Sequence, residues 1–368
     1  MRKILLICLL LAITFISCKT SRMSASEKRT ADKVAAWQIQ HYSDTVAPQA
    51  GWVYATLYRG MAEWAIQTHS QSIFDFLVKT GQELDWGMLP RLYDADDLCI
   101  GQTYFRLYDV YKDRKMIEKV IKRVDSVITH PDTLPLITAK GKYYRNRWGW
   151  CDALFMAPPV YARMYQLTGN PVYLDFCYSE YKTTTDSLYD PQKHLFYRDL
   201  RLVNDRDHKQ EKVFWGRGNG WVYASLVLML ETVPSNHESY EFYLQLFRQM
   251  TRSIIQTQDK TGAWHSSLFD PETFSQPENS ASGFFVYGLA FGINKGLLTD
   301  KEAKSALRKG WKSLQRYVNQ NGKLGFVQPI GHEPLQLNEE MTMPYGAGAY
   351  LLAAAEMTKL LKKKRRLH

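Results

Sequence analysis

Two aspartates stand where an acid has chemical use. Asp152 lies in Trp148-Gly149-Trp150-Cys151-Asp152-Ala153-Leu154-Phe155-Met156, an otherwise apolar and aromatic run. An ionised carboxylate in such a setting is costly without a partner or a purpose. Asp97 follows Asp94 and Asp96 and precedes Leu98-Cys99-Ile100-Gly101. An aspartate ahead of a helix also serves as its N-cap, a reading that suits Asp97 better than Asp152. Two carboxyl groups brought close are the equipment of general acid–base chemistry. Arg217 and Trp221 are four positions apart, which places them on one helical face if the helix begins that early. Arginine offers a planar fork for a carboxylate, and tryptophan a surface for stacking. The plainer alternative for Arg217 is a pair with a structural carboxylate.

Further candidates are less specific. Trp150, Trp52, Tyr54 and Tyr345 offer aromatic surface to a sugar ring but fill a core equally well. His265 follows Gly262-Ala263-Trp264 in an expected loop, where functional residues concentrate. Asn219 sits in a glycine-rich turn and serves that turn on the plainer reading. His41, His69, His194, His265 and His332 show no metal-ligand spacing, and HExxH, P-loop and Gly-x-Ser-x-Gly patterns are absent from the sequence. Cys99, Cys151 and Cys177 show neither zinc nor disulfide spacing and read as small buried residues.

These residues need elements that bring them together. Six segments combine glycine, aromatics and small residues and then run into an apolar helix. They begin near Gly51, Asp97, Trp148, Gly218, Ser282 and Pro344. Their spacing of roughly 45 to 70 residues fits a repeat of two helices plus loops. Between them, 113–128, 171–188, 238–257 and 300–319 read as amphipathic helices with one wet face. Alternating inner and outer helices predict an all-α fold, an (α/α)6 toroid or six-hairpin barrel. The alternation makes every inner helix run the same way, so their N-terminal ends, and the marked residues, gather at one mouth.

Composition agrees. The 368 residues are 45% hydrophobic and 13% aromatic, enough for a large core. The net charge of +10 lies partly at the two ends of the sequence and carries no nucleic-acid signature. A basic surface favours anionic glycans at long range. Arg2 and Lys3 precede an apolar run over 4–16, too short to span a bilayer and laid out as a signal peptide. Cys18 after Ser17 matches a lipoprotein processing site, with an ordinary cleaved signal as the alternative. The expected organisation is a signal over 1–17, lipidation at Cys18, a polar tether over 18–30, the helical domain over 31–361 and a basic tail over 362–368. Lys19-Thr20 carries no acidic run, which favours an anchored protein facing the periplasm.

Taken together, Trp148-Gly149-Trp150-Cys151-Asp152-Ala153-Leu154-Phe155-Met156-Ala157-Pro158-Pro159 and Trp215-Gly216-Arg217-Gly218-Asn219-Gly220-Trp221 resemble the signatures of glycoside hydrolase family 105. That family contains the unsaturated rhamnogalacturonyl hydrolases and is akin to the family 88 unsaturated glucuronyl hydrolases. The resemblance covers roughly residues 30–360. It implies an (α/α)6 barrel without metal or organic cofactor, acting on an oligosaccharide with a 4,5-unsaturated uronic acid at its non-reducing end. It also implies that Asp152 protonates C4 of the C4=C5 enol ether while water adds at C5. Asp97 then binds substrate or tunes the donor, and Arg217 and Trp221 bind substrate. Arg198 follows Leu195-Phe196-Tyr197, with His194 ahead of it, where pectin-acting members are expected to carry a histidine. Arg198 is therefore a further substrate-binding candidate, and glycans other than rhamnogalacturonan, such as ulvan or arabinogalactan, stay open.

Three other readings fit some of these residues. An inverting glycosidase would use Asp97 and Asp152 as base and acid across one water. A polysaccharide lyase would make the double bond and needs a base such as His or Tyr. A lipid-anchored glycan-binding protein would use the aromatic mouth but leave Asp152 without a task.

Overall fold

The computed structural model describes residues 23–42, 47–136 and 146–360. Fourteen helices and one two-stranded hairpin make up the described elements. In chain order they begin with α1 (Ala25–Gln40), α2 (Trp52–Thr68), α3 (Gln71–Glu83), the short α4 (Ala95–Leu98), α5 (Gly101–Tyr111) and α6 (Lys115–Thr129). Then come the short α7 (Ala153–Met156), α8 (Pro158–Thr168), α9 (Val172–Leu188), β1 (Tyr189–Asp190), β2 (Leu195–Phe196) and α10 (Gly216–Thr232). The described elements end with α11 (Glu238–Gln256), α12 (Asn279–Lys295), α13 (Lys301–Arg316) and α14 (Pro344–Lys359). Helices α2, α5, α8, α10, α12 and α14 form the inner ring, and α1, α3, α6, α9, α11 and α13 the outer. The expected toroid is present.

The two rings differ in the way their sequences require. Every residue of α10 from Gly216 to Leu230 is buried, as is every residue of α12 from Asn279 to Gly292. Outer helix α6 buries one stripe, Met116, Ile117, Val120, Val124 and Val127, and leaves the rest wet. Small residues bring inner helices together. A Cβ on Gly60 would lie 2.2 Å from the carbonyl oxygen of Gly348, and one on Gly348 would lie 2.3 Å from that of Thr56. Helices α2 and α14 thus touch backbone to backbone, and their contact closes the ring.

Two outer helices, α1 and α3, fall outside the four amphipathic stretches read from the sequence. Helix α1 begins at Ala25, inside the segment expected to be a tether. Ser24 caps it by accepting from the Glu27 amide at 3.1 Å, and the Glu27 carboxylate accepts from the Ser24 amide in return. The indole of Trp311 donates to Glu27 at 2.9 Å and that of Trp64 to Asp32 at 2.9 Å, so α1 is docked as the outer partner of α14. Helix α3 completes the hairpin with α2. The expected signal, Cys18 and the basic tail lie outside the described residues.

At the C-terminal ends of the inner helices the ring is plugged by charge. Arg59 pairs with Glu63, Arg106 reaches Glu63 at 2.7 Å and Asp109 at 2.9 Å, and Arg163 reaches Asp109 at 2.5 Å. Lys359 meets Glu356 at 2.6 Å and Glu231 at 3.8 Å, while Asn294 donates to Glu356 at 2.7 Å. All six inner helices contribute to this cluster, and its cations and anions balance.

Candidate active site

The mouth lies at the opposite end, and there the second and third inner helices start with a break. Asp97 and Asp152 do not open α5 and α8 directly. They sit on the separate turns α4 and α7, which pack against each other. Pro158 and Pro159 at the start of α8 supply no amide hydrogen and favour the break there.

Asp97 is fully buried, and it is not the cap. Asp94 caps α4 by accepting from the Asp96 amide at 3.0 Å. Asp97 instead accepts from the backbone amide and Nε of Arg91, at 2.9 and 3.2 Å, and its other oxygen accepts from Nη2 of the same arginine. Arg123 donates to the carbonyls of Leu89 and Arg91, each at 2.9 Å. Both oxygens of Asp97 are therefore engaged in holding the loop ahead of α4 to the mouth.

Asp152 is 9% exposed and makes no capping bond to α7, so its carboxylate is spent on neither solvent nor helix end. Oδ2 lies 3.3 Å from Sγ of Cys151 and 3.8 Å from Nε of Arg198. Arg198 is held in place by a strap. The Cys151 amide donates to the Arg198 carbonyl at 2.8 Å, and Trp150 bridges to Asp199. Asp199 is fully buried and accepts from Arg198 at 2.5 Å and from Arg201 at 2.7 Å. Burial works against its charge, yet Arg201 and Arg198 hold its carboxyl below the ordinary range. Asn219 holds the strap from behind. Its Oδ1 accepts from the Phe196 amide at 2.8 Å, and its Nδ2 donates to the carbonyls of Phe196 and Trp215 at 3.1 and 3.0 Å.

The aromatic candidates divide. Trp52, partly exposed, stacks on Tyr345 at 5.2 Å and meets Trp221 edge-on at 6.0 Å. Trp221 is fully buried against Phe155 and Phe284. Burial pushes the Tyr345 hydroxyl up. Arg217 opposes this, and the charges of Glu278 and Asp152 add to the rise, so Asp152 lies within electrostatic reach of this cluster. Arg217 does share a face with Trp221, but its guanidinium is committed. It donates to the carbonyls of Gln328, Pro329 and Gly331 at 2.6, 3.0 and 3.2 Å and to the Tyr345 hydroxyl at 3.0 Å. It also lies over the rings of Trp215 and Tyr345. It thus pins the loop 328–331 beside the mouth, a partner set the sequence did not indicate.

Trp221 and Tyr345 are fully buried and back Trp52 instead of offering a face of their own, and three further expectations of direct contact at the mouth are corrected. Tyr54 points away, into a cluster with Tyr42 and Tyr58 between the inner and outer rings. His265 faces Asp259 at 3.4 Å and Gln276 at 3.1 Å, in the loop behind α10. Trp150 is buried in the core under the strap. Glu278, not anticipated, is a fully buried hub. It caps α12 through the amides of Ser280 and Ala281 at 3.2 and 2.7 Å and accepts from the Gln328 amide at 3.1 Å. Its place just ahead of Asn279-Ser280-Ala281 was the available signal.

Beside Arg198 a cavity of about 470 Å³ opens, lined among others by Trp215, Ser267, Asp270, His208 and His332. That volume falls in the range of small-molecule sites. No cluster of metal-ligating side chains occurs among the described residues.

Comparison with known proteins agrees with this fold. The model of Glycosyl Hydrolase Family 88 matches residues 30–361. The unsaturated 3S-rhamnoglycuronyl hydrolase of Alteromonas sp. (strain LOR) is 32% identical over 356 residues, covering 91% of this chain and 86% of that protein. A solved structure of a glycosyl hydrolase family 88 protein from Bacteroides vulgatus superimposes with a TM-score of 0.81 at 26% identity, covering 91% of this chain and 99% of that one. Another, described as a polysaccharide lyase, gives 0.82 at 26% identity over 91% and 97%.

Proposed function

The chain belongs to glycosyl hydrolase family 88, and from that premise we propose that it removes a 4,5-unsaturated uronic acid from the non-reducing end of oligosaccharides, with Asp152 as the proton donor. The carrying observation is the setting of Asp152, a buried carboxylate that caps nothing and opens on the mouth beside Arg198. In the proposed reaction Asp152 protonates C4 of the C4=C5 enol ether, leaving an oxocarbenium-like centre at C5. Water adds there and gives its proton to the carboxylate that Asp152 has become. The C5 hemiketal opens to a ketone, and the freed ring oxygen leaves C1 as a hemiacetal. That hemiacetal expels the neighbouring sugar as an alcohol and becomes an aldehyde. One water is consumed, and the proton of Asp152 is returned.

This chemistry needs one donor rather than a pair. Asp97, with both oxygens held by Arg91, suits a shaping role at the mouth better than that of a base, which weighs against the inverting glycosidase. Arg198 is the guanidinium we place against the uronate carboxylate, since Arg217 is engaged by the loop 328–331. Trp52, backed by the buried Tyr345 on which it stacks, is the proposed stacking surface. The name of the Alteromonas relative supports a rhamnose as the neighbouring sugar. A lyase acting by β-elimination must supply the substrate, because that reaction creates the C4=C5 bond. Export and lipidation at Cys18 complete the proposal and rest on sequence alone; labelling with a palmitate analogue, abolished in Cys18→Ser, tests them.

The test uses residues 19–368 and unsaturated uronyl–rhamnose disaccharides, with and without a 3-sulfate. Ultraviolet absorbance of the conjugated double bond should fall with wild type, and about a thousandfold more slowly with Asp152→Asn. Rising absorbance on intact polymer would instead identify a lyase, a reaction that a shared fold does not rule out. Release of saturated sugars with absorbance unchanged would identify the inverting glycosidase.

A further inference from the structure

We infer that Cys151 is a positioning residue for Asp152: its thiol donates to Oδ2 and, with Arg198 on that same oxygen, leaves Oδ1 to carry the proton that reaches the substrate. The inference rests on Asp152 being the proton donor. Sγ lies 3.3 Å from Oδ2, and Nε of Arg198 lies 3.8 Å from the same atom. Cys151 is fully buried. Burial first, and the Asp152 charge second, push its thiol well above the ordinary range. At the pH where a hydrolase works the group is therefore S–H, a donor and not a nucleophile. A donor and a cation on one carboxylate oxygen favour negative charge there. The proton of the neutral acid then belongs on the other oxygen, and the acid presents it from one side.

The seat of the sulfur is built rather than incidental. The Cys151 amide is tied to the Arg198 carbonyl at 2.8 Å, which fixes the backbone on one side. On the other, a Cβ at Gly218 would lie 3.1 Å from Sγ, so the first turn of α10 closes directly on the thiol. Asn219, the next residue, holds Phe196 two positions before Arg198. The helix that seats Cys151 and the strap that carries Arg198 thus form one frame, with Oδ2 of Asp152 between the thiol and the guanidinium. A Cβ at Gly218 would meet the Trp215 ring at 2.9 Å as well, so the glycine makes room for both the indole and the thiol.

Three variants separate the donor from the packing. Cys151→Val fills the seat with about a methyl of extra bulk and no donor, Cys151→Ala removes both donor and bulk, and Cys151→Ser keeps a donor. In Cys151→Val and Cys151→Ala, kcat/KM should fall about fivefold to tenfold, with the loss in kcat. Losing a donor to the carboxylate destabilises its ionised form, so the alkaline limb of the kcat/KM profile should move to higher pH. Cys151→Ser should return both rate and limb toward wild type. Urea midpoints of all three establish that folded protein is compared, and Val and Ser carry the test if Ala does not fold. If Cys151→Val matches wild type in rate and limb, or Cys151→Ser is as impaired as Cys151→Val, the thiol only packs and the inference is overturned. Asp152→Asn in parallel keeps the two questions apart. Its full activity would remove the proton-donor reading itself, whereas an inactive Asp152→Asn beside an unaffected Cys151→Val removes only the role of the thiol.

Discussion

Asn219→Ala removes the hinge on which the site depends, and its cost follows from the bonds it makes. The side chain is fully buried and occupies both backbone polar groups of Phe196, the amide at 2.8 Å and the carbonyl at 3.1 Å. Alanine leaves both without a partner in a buried setting. Each orphaned group costs about 1–3 kcal/mol, so the variant should lose about 3 kcal/mol. The third bond, to the Trp215 carbonyl, adds little, because that oxygen also accepts from the Asn219 amide at 3.1 Å. Urea unfolding followed by circular dichroism should show a midpoint lowered by about 1 M. Activity at a urea-free pH of 7 should fall further than the folded fraction explains, since the strap carries Arg198 toward Asp152. Asn219→Asp sharpens the case. It keeps an acceptor for the Phe196 amide but turns acceptors toward two carbonyls and buries a charge, so it should be no more stable than Asn219→Ala. A loss below about 0.5 kcal/mol in Asn219→Ala, or wild-type stability in Asn219→Asp, would refute the reasoning.

Two further predictions concern the ring itself. Burial alone would raise the Glu63 carboxyl, but Arg59, Arg106 and Lys359 bring it down from its ordinary 4.5 to about 2. A carboxyl lowered in the folded state contributes stability that is present above pH 4.5 and lost as pH falls toward 2. Glu63→Gln should therefore lower stability at neutral pH by about 3 kcal/mol, by leaving Arg59 and Arg106 short of an anion. It should also flatten the acid dependence of the urea midpoint across that window; an unchanged slope would count against the assignment. Gly60→Ala puts a Cβ 2.2 Å from the Gly348 carbonyl oxygen, where backbone must move. It should cost about 2 kcal/mol or more and lower Tm by several degrees, and a neutral result in thermal unfolding would mean that α2 and α14 separate freely.

The ring was legible in the sequence because inner helices need small residues where they touch. Gly60 against Gly348 and Gly283 against Ala349 are such contacts, and they lie in or near the glycine-marked segments. Helix α1 was hidden for the opposite reason. It buries only Ala31, Val34, Ala35 and Gln38, a stripe too thin and too small to separate from a polar tether. In the site, the position along an inner helix was readable but the direction around it was not. Trp52 reaches the mouth, while Tyr54, two residues on and about 200° around the helix, faces the outer ring. Arg217 and Trp221 share a face as their spacing requires, yet the carbonyls that occupy Arg217 come from 328–331, far along the chain. Partners of that kind leave no local pattern. The same holds for Asp97, whose neighbours suggested a cap but whose partner is Arg91.

The contact that closes the toroid joins the first inner helix to the last, with α1 laid over the join. In a chain made from its N-terminus, each hairpin can settle on the one before it, but this join waits until residues near Gly348 have emerged. Until then the first hairpin presents the backbone face of Gly60 with nothing to cover it, and the mouth is an open arc rather than a circle. The acid and its strap lie midway round that arc, away from the join. A permuted chain, with its old ends linked and new ends cut between two other hairpins, would move the moment of closure to another place on the circumference and leave Asp152 in the same frame.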